Sequence, residues 1–273
     1  MQLRDLAGYE LGSRTVAYEE RDAILYALAV GAASDESDLV YERDLRVLPT
    51  YACALGLWAA EHAGALGAYD RNAALHAWQM LEMHNSMPPS GAIETKGRII
   101  GVWDKGKAAM IDVVVESEVF TASYGIFLPG VGGWGGERGP SAWTTREQTG
   151  PSWHGEFKTC SNQAAIYRLT GDLHPMHIDA AVARANGFER PILHGLCTLG
   201  IAARMVAAAA GAHPTDLRRL QARLTAPVMP GDTIALCGRG CGGPEGVTFE
   251  ASVGDAAVLK GGQAVFQSRG DAG

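Results

Sequence analysis

Residues 167–179 carry the densest run of chemically capable side chains in the sequence: Tyr167, Arg168, Asp172, His174, His177 and Asp179, with Pro175 among them. Asp172 and His177 stand five residues apart. Pro175 disfavours helical geometry at His174 and presets its own φ, so the segment reads as a loop. A loop can turn both side chains toward one point, which a straight strand would not do at an odd spacing. Three roles suit these residue types. Asp172 could cap a helix, with the histidines as ordinary surface residues. Asp172, His174 and His177 could ligate a metal, although no fourth ligand stands at a fitting spacing. Asp172 and His177 could share one water, taking a proton from it and returning a proton elsewhere. Hydrating a double bond conjugated to a thioester needs that third chemistry, together with a group that holds negative charge on the thioester oxygen. Residues 191–197 offer such a group. Gly195 opens an apolar helix whose free amides and dipole face incoming charge, and a glycine lets a ligand approach the backbone.

The elements that position these residues occur twice. Shifted by 140 residues, Gly31 falls on Gly171, Gly91 on Gly231, Gly106 on Gly246 and Val113 on Val253. In each half a short helix (21–31 and 161–171) precedes a longer Ala-rich helix (50–67 and 195–210). Strands follow at 77–85, 92–102, 107–118 and 120–128, and again at 218–228, 232–239, 246–253 and 257–267. One buried helix wrapped by an antiparallel sheet, made twice, is an α+β architecture. The Gly-rich stretch 130–140 has neither the strand-to-helix junction nor the Lys-Ser/Thr of a phosphate loop, and reads as a mobile linker. The boundary falls near 150, giving an N-terminal half of 1–150 and a C-terminal half of 151–273.

The bulk composition excludes several classes. A net charge of -7 opposes a general nucleic-acid partner. No apolar run reaches the roughly 20 residues of a membrane helix, and the first residues do not open a signal peptide. Residues 268–273 form no peroxisomal tripeptide. Five scattered cysteines argue against a disulfide framework, and the nearby pair Cys237 and Cys241 lacks a second pair at zinc-site spacing. The expectation is a reduced, cytoplasmic protein. Lys96, Arg98, Lys105 and Lys107 form a basic cluster that reads, taken alone, as a solvated hairpin.

Residues 167–179, followed by Gly187-Phe188-Glu189-Arg190-Pro191-Ile192-Leu193-His194-Gly195-Leu196-Cys197-Thr198, resemble the hydratase 2 motif of MaoC-like enzymes. The resemblance extends over nearly the whole chain, through Leu75-His76, Asp104-Lys105-Gly106 and Ala226-Pro227-Val228. It implies a double hot-dog fold and syn addition of water to a trans-2-enoyl-CoA, giving the (R)-3-hydroxyacyl-CoA. It implies that Asp172 and His177 are the catalytic pair and that the Gly195 N–H forms the oxyanion hole. It places His76, Lys105, Tyr167 and Leu224 at the substrate, with Lys105 toward coenzyme A. It further implies a homodimer, no metal, and no cofactor beyond the coenzyme A of the substrate.

At the 140-residue offset Ala32 falls on Asp172 and Ser37 on His177, so the first half lacks the acid and the base. One active site is expected, with the first half receiving the acyl tail. Two positions depart from the family pattern. His174 replaces an Asn beside the catalytic pair, where a protonated imidazole would disturb its neighbours. Ala77-Trp78 replaces Gly-Glu after His76, and Trp78 reads as a core aromatic or as a wall of the acyl pocket. A hot-dog thioesterase and an acyl-CoA-binding subunit with impaired chemistry are the competing readings.

Overall fold

The computed structural model describes residues 1–140, 150–240 and 246–267. Cys241 and residues 268–273, which the sequence reading used, lie outside the described residues. Ten strands form one antiparallel sheet: β1 (Glu10–Tyr18), β2 (Leu75–Met83), β3 (Gly91–Asp104), β4 (Ala108–Glu116), β5 (Phe120–Pro129), β6 (Ser152–Lys158), β7 (Leu217–Leu224), β8 (Thr233–Arg239), β9 (Val247–Val253) and β10 (Ala256–Phe266). Their order is β1-β3-β4-β5-β2-β7-β10-β9-β8-β6. The second five strands repeat the first five in mirror order about the β2–β7 seam, where Trp78 pairs with Arg223 and Leu81 with Leu220. The glycine pairs that mark the repeat share a backbone need. Gly91 and Gly231 have φ of 144° and 97°, and Gly106 and Gly246 have 89° and 77°. These values favour glycine and close equivalent turns in the two halves.

Among the described residues the α-helices are α1 (Glu20–Ala29), α2 (Ser37–Val40), α3 (Tyr51–Leu55), α4 (Trp58–Ala65), α5 (Gln163–Tyr167), α6 (Ala180–Ala185) and α7 (Gly195–Ala209). Leu196, Cys197, Leu199, Ile201, Ala202 and Val206 of α7 are buried, and β7 to β10 wrap it. Each large apolar side chain so covered contributes roughly 1.5–3 kcal/mol. The helix stops at Ala209, with Gly211 turning the chain at φ 67°. Two helix-wrapped halves of one sheet make a double hot-dog.

Three sequence expectations need correction. The helix expected over 50–67 breaks into α3 and α4 at Gly56–Leu57. The Tyr124 hydroxyl donates to the Cys53 carbonyl at 2.7 Å, and the Leu57 amide turns to Ala54 instead. A Cβ on Gly56 would lie 2.5 Å from that hydroxyl. The outermost strands, β1 and β6, were not anticipated; as sheet edges they are mostly polar and half exposed, with β1 alternating weakly and β6 only seven residues long. The Gly-rich stretch, read as a mobile linker, is anchored over residues 133–136. Its Gly133, Gly135 and Gly136 amides donate to the Asp104 carboxylate at 2.9, 2.8 and 3.3 Å. These amides, with that of Gly106, hold the Asp104 carboxyl down at about 2.

Candidate active site

Gly171 ends the turn after α5 at φ 140° and delivers Asp172 into the loop. The Asp172 Oδ1 accepts the His174 amide at 3.1 Å, and His174 Nδ1 accepts the Met176 amide at 3.2 Å. Pro175 to His177 then form one 3₁₀ turn, and Asp179 caps α6 through the Ala181 and Val182 amides. The helix cap is therefore Asp179, and Asp172 closes a tight turn of its own loop.

His177 is buried. Its Nδ1 lies 2.9 Å from the Ile192 carbonyl, which can only accept, so Nδ1 carries the proton and Nε2 is left as a base. Desolvation pushes the His177 pKa down, against the opposing field of Asp172 and the bond to Ile192; His174 adds to the lowering. His194, at the N-cap of α7, stacks on His177 with ring centroids 3.6 Å apart and planes inclined 25°. Its Nε2 donates to the Asp172 carbonyl at 3.2 Å, and burial lowers its pKa to about 3. His76 on β2 donates from Nε2 to the Trp78 carbonyl at 3.0 Å, and desolvation lowers its pKa to about 4. All three imidazoles are thus held toward their neutral forms, which suits proton acceptance near neutral pH.

Ligand atoms of Asp172, His177 and His194 lie within 4.8 Å of one another. The close trio therefore contains His194, where the sequence had offered His174. Its spacing would admit a metal, but its ring geometry opposes one. Imidazole lone pairs lie in the ring planes, and rings stacked face to face with centroids 3.6 Å apart direct them roughly side by side rather than toward one point about 2.1 Å from both nitrogens. The separation does fit one water bonded to a carboxylate and to an imidazole.

Two cavities meet at Asp172 and His177. The larger, about 840 Å³, runs through the N-terminal half between Leu11, Leu57, Trp58, Leu75 and Ile126. The smaller, about 250 Å³, is walled by Phe188, Leu196, Leu224, Pro227 and Leu259. Asp172, His177 and His76 line both, and Gly195 lines the smaller. The first amides of α7, beginning at Gly195, have no acceptor within the helix. A Cβ on Gly195 would fall 1.9 Å from Leu224 Cδ2, so an added methyl would have to displace the Leu224 side chain.

Asp172, His177, His76, Gly195 and Leu224 thus come together, and His174 stands at the rim of the larger cavity. Tyr167 lies behind them, fully buried with its ring 4.8 Å from that of His194, and lines neither cavity. Lys105 is placed apart. Its Nζ donates to the Arg138 carbonyl on the Gly-rich stretch, outside both cavities. Trp78 also lines neither; its indole lies across Gly125 of β5, where a Cβ would clash.

Over 261 residues the chain is 32% identical to a protein named enoyl-CoA hydratase 2, peroxisomal, of Arabidopsis thaliana, covering 84% of each. It is 34% identical over 237 residues to 3-hydroxyacyl-thioester dehydratase Y of Mycobacterium tuberculosis, covering 80% of each. The MaoC like domain matches residues 144–242, and the MFE-2 hydratase 2 N-terminal domain matches residues 16–127. The chain belongs to the MaoC-like hydratase 2 family. The crystal structure of a MaoC-like dehydratase from Phytophthora capsici superposes with a TM-score of 0.86 at 27% identity, covering 99% of each chain. In this hydratase 2 chain the residue that sequence reasoning left without a role is His194. It was visible only as the neighbour of Gly195, since stacking across a gap of 17 positions leaves no mark in local spacing.

Proposed function

We propose that this chain reversibly adds water to a trans-2-enoyl thioester of coenzyme A, giving the (R)-3-hydroxyacyl-CoA. The observation that carries this reading is the convergence of Asp172, His177 and Gly195 where the two cavities meet. Water sits between the Asp172 carboxylate and His177 Nε2. Its oxygen bonds to C3 as His177 takes a proton, and a proton is returned to C2 on the same face. The Gly195 amide donates to the thioester oxygen while it carries negative charge. Coenzyme A arrives as part of the substrate, and the reaction needs no other cofactor.

In this reading the larger cavity takes the acyl tail, so residues 1–150 shape specificity and 151–273 carry the chemistry. The smaller cavity takes the thioester. Lys105, whose Nζ donates to the Arg138 carbonyl outside both cavities, remains the candidate for contact with the coenzyme A moiety. We extend the reading to a homodimer in a reducing, cytoplasmic setting, in keeping with free Cys53, Cys160, Cys197 and Cys237. Among the described residues no helix is long and apolar enough to cross a membrane.

The test is the loss of enoyl absorbance with crotonyl-CoA and trans-2-decenoyl-CoA, with chiral resolution of the product. Asp172→Asn and His177→Gln should each lower kcat by about 10²–10⁴-fold. Full activity in either variant rejects the assignment of that residue. Release of coenzyme A thiol without hydration would instead make the chain a thioesterase.

A further inference from the structure

The wall of the larger cavity is not the wall of a simple alkyl pocket. Beside its apolar residues it presents Arg14 of β1, Glu61 and His62 of α4, and Tyr69 and Arg71 of the loop that follows. Both arginines are exposed, and among the described residues neither guanidinium forms an ion pair or a side-chain hydrogen bond. Arg71 is set in place by Gly64 of α4, where an added Cβ would stand 3.1 Å from the Arg71 Cβ. Glu61 shares the cavity and feels both cations. Its carboxyl is raised by desolvation and by Asp172, and lowered by Arg14 and Arg71. Glu61 and Asp172 offset the two guanidiniums in formal charge, but among the described residues neither carboxylate pairs with them, so their donors are left unused.

An alkyl tail seated there would strip water from these donors and return no acceptor, which is unfavourable. A carboxylate would accept from both guanidiniums, and charge-assisted bonds of this kind are the strong ones. We propose that the acyl group this chain receives ends in a carboxylate, held by Arg14 and Arg71 in the larger cavity. The inference rests on the hydratase reading for the orientation of the substrate, with the thioester at Gly195 and the tail in the N-terminal half. Glu61, in the same cavity, opposes the incoming anion and favours one that bonds directly to the arginines.

The experiment compares trans-2-decenoyl-CoA with the analogue of the same length bearing a terminal carboxylate, on the full chain. The carboxylated substrate should have a kcat/KM higher by about tenfold or more. Arg14→Met and Arg71→Met keep apolar bulk and should each move the ratio of the two kcat/KM values toward one. Equal or poorer turnover of the carboxylated substrate overturns the proposal. Calorimetry with the saturated acyl-CoA and its terminal carboxylate separates this failure from failure of the hydratase reading. Tighter binding of the carboxylate without hydration of any enoyl-CoA would reject only the reaction. Hydration with no preference in either assay would reject only the carboxylate.

Discussion

His174 is where the residue scale is most informative. It occupies the position of a family Asn, and the structure shows both what it replaces and what it adds. Its Nδ1 takes the Met176 amide, so it shapes the loop as a hydrogen-bond acceptor, and an Asn carbonyl can do the same. Its charge is the addition. His174 lowers the His177 pKa, on top of the lowering caused by burial. Because His177 must be neutral to accept a proton, the acid limb of kcat/KM should fall below the ordinary histidine value of 6.5. His174→Asn removes one cause of the lowering and should move that limb to higher pH. A limb that stays in place, or moves down, would mean that His174 does not act on His177. The pair Asp172 and His177 was legible in the sequence because five residues and a proline specify a bent loop. His194 was not, because its contact depends on how α7 meets that loop. Lys105 is legible only in part for a related reason: a cluster of cations reveals charge but not the direction in which it faces, and here the Nζ donates to the Arg138 carbonyl.

Among the elements, the start of α7 makes a demanding contact. Gly195 was read as a glycine that lets a ligand near the backbone, and the space a Cβ would take there is filled by Leu224 of β7. Gly195→Ala would gain helix propensity, a fraction of what the clash costs. Overpacking of this kind typically costs about 1–3 kcal/mol. The variant should therefore lose stability in denaturant titration, and it should raise KM as Leu224 is pushed into the smaller cavity. Leu224→Ala in the same chain should recover most of the lost stability, because the added methyl then has room. Additive losses in the double variant would show that the two side chains do not meet. The strands of the interior were legible because their apolar runs are long. The edges β1 and β6 were not, since a strand with one neighbour needs little apolar surface. The break between α3 and α4 was invisible because its cause, the Tyr124 hydroxyl, arrives from more than sixty residues away.

The whole molecule repeats one plan but not one site. The 140-residue repeat was legible because turns that need glycine recur at fixed spacing, and the strand order then folds the two copies about β2 and β7. The copies differ where chemistry would occur. Ala32 follows Gly31 as Asp172 follows Gly171, and Ser37 opens α2 where the other half has His177. The helix equivalent to α7 is also interrupted at Gly56–Leu57, and it lacks a long apolar run beginning at a cavity glycine. A second reaction centre would need an acid, a base and an oxyanion donor, and the first half has neither the acid nor the base. Its own contribution is the larger cavity, which opens onto Asp172 and His177 of the other half. Titration with saturated decanoyl-CoA should therefore give one bound molecule per chain, and the Asp172→Asn chain should give the same number. Two equivalent molecules per chain would mean that the first half binds a thioester by itself, and the division of labour between the halves would fail.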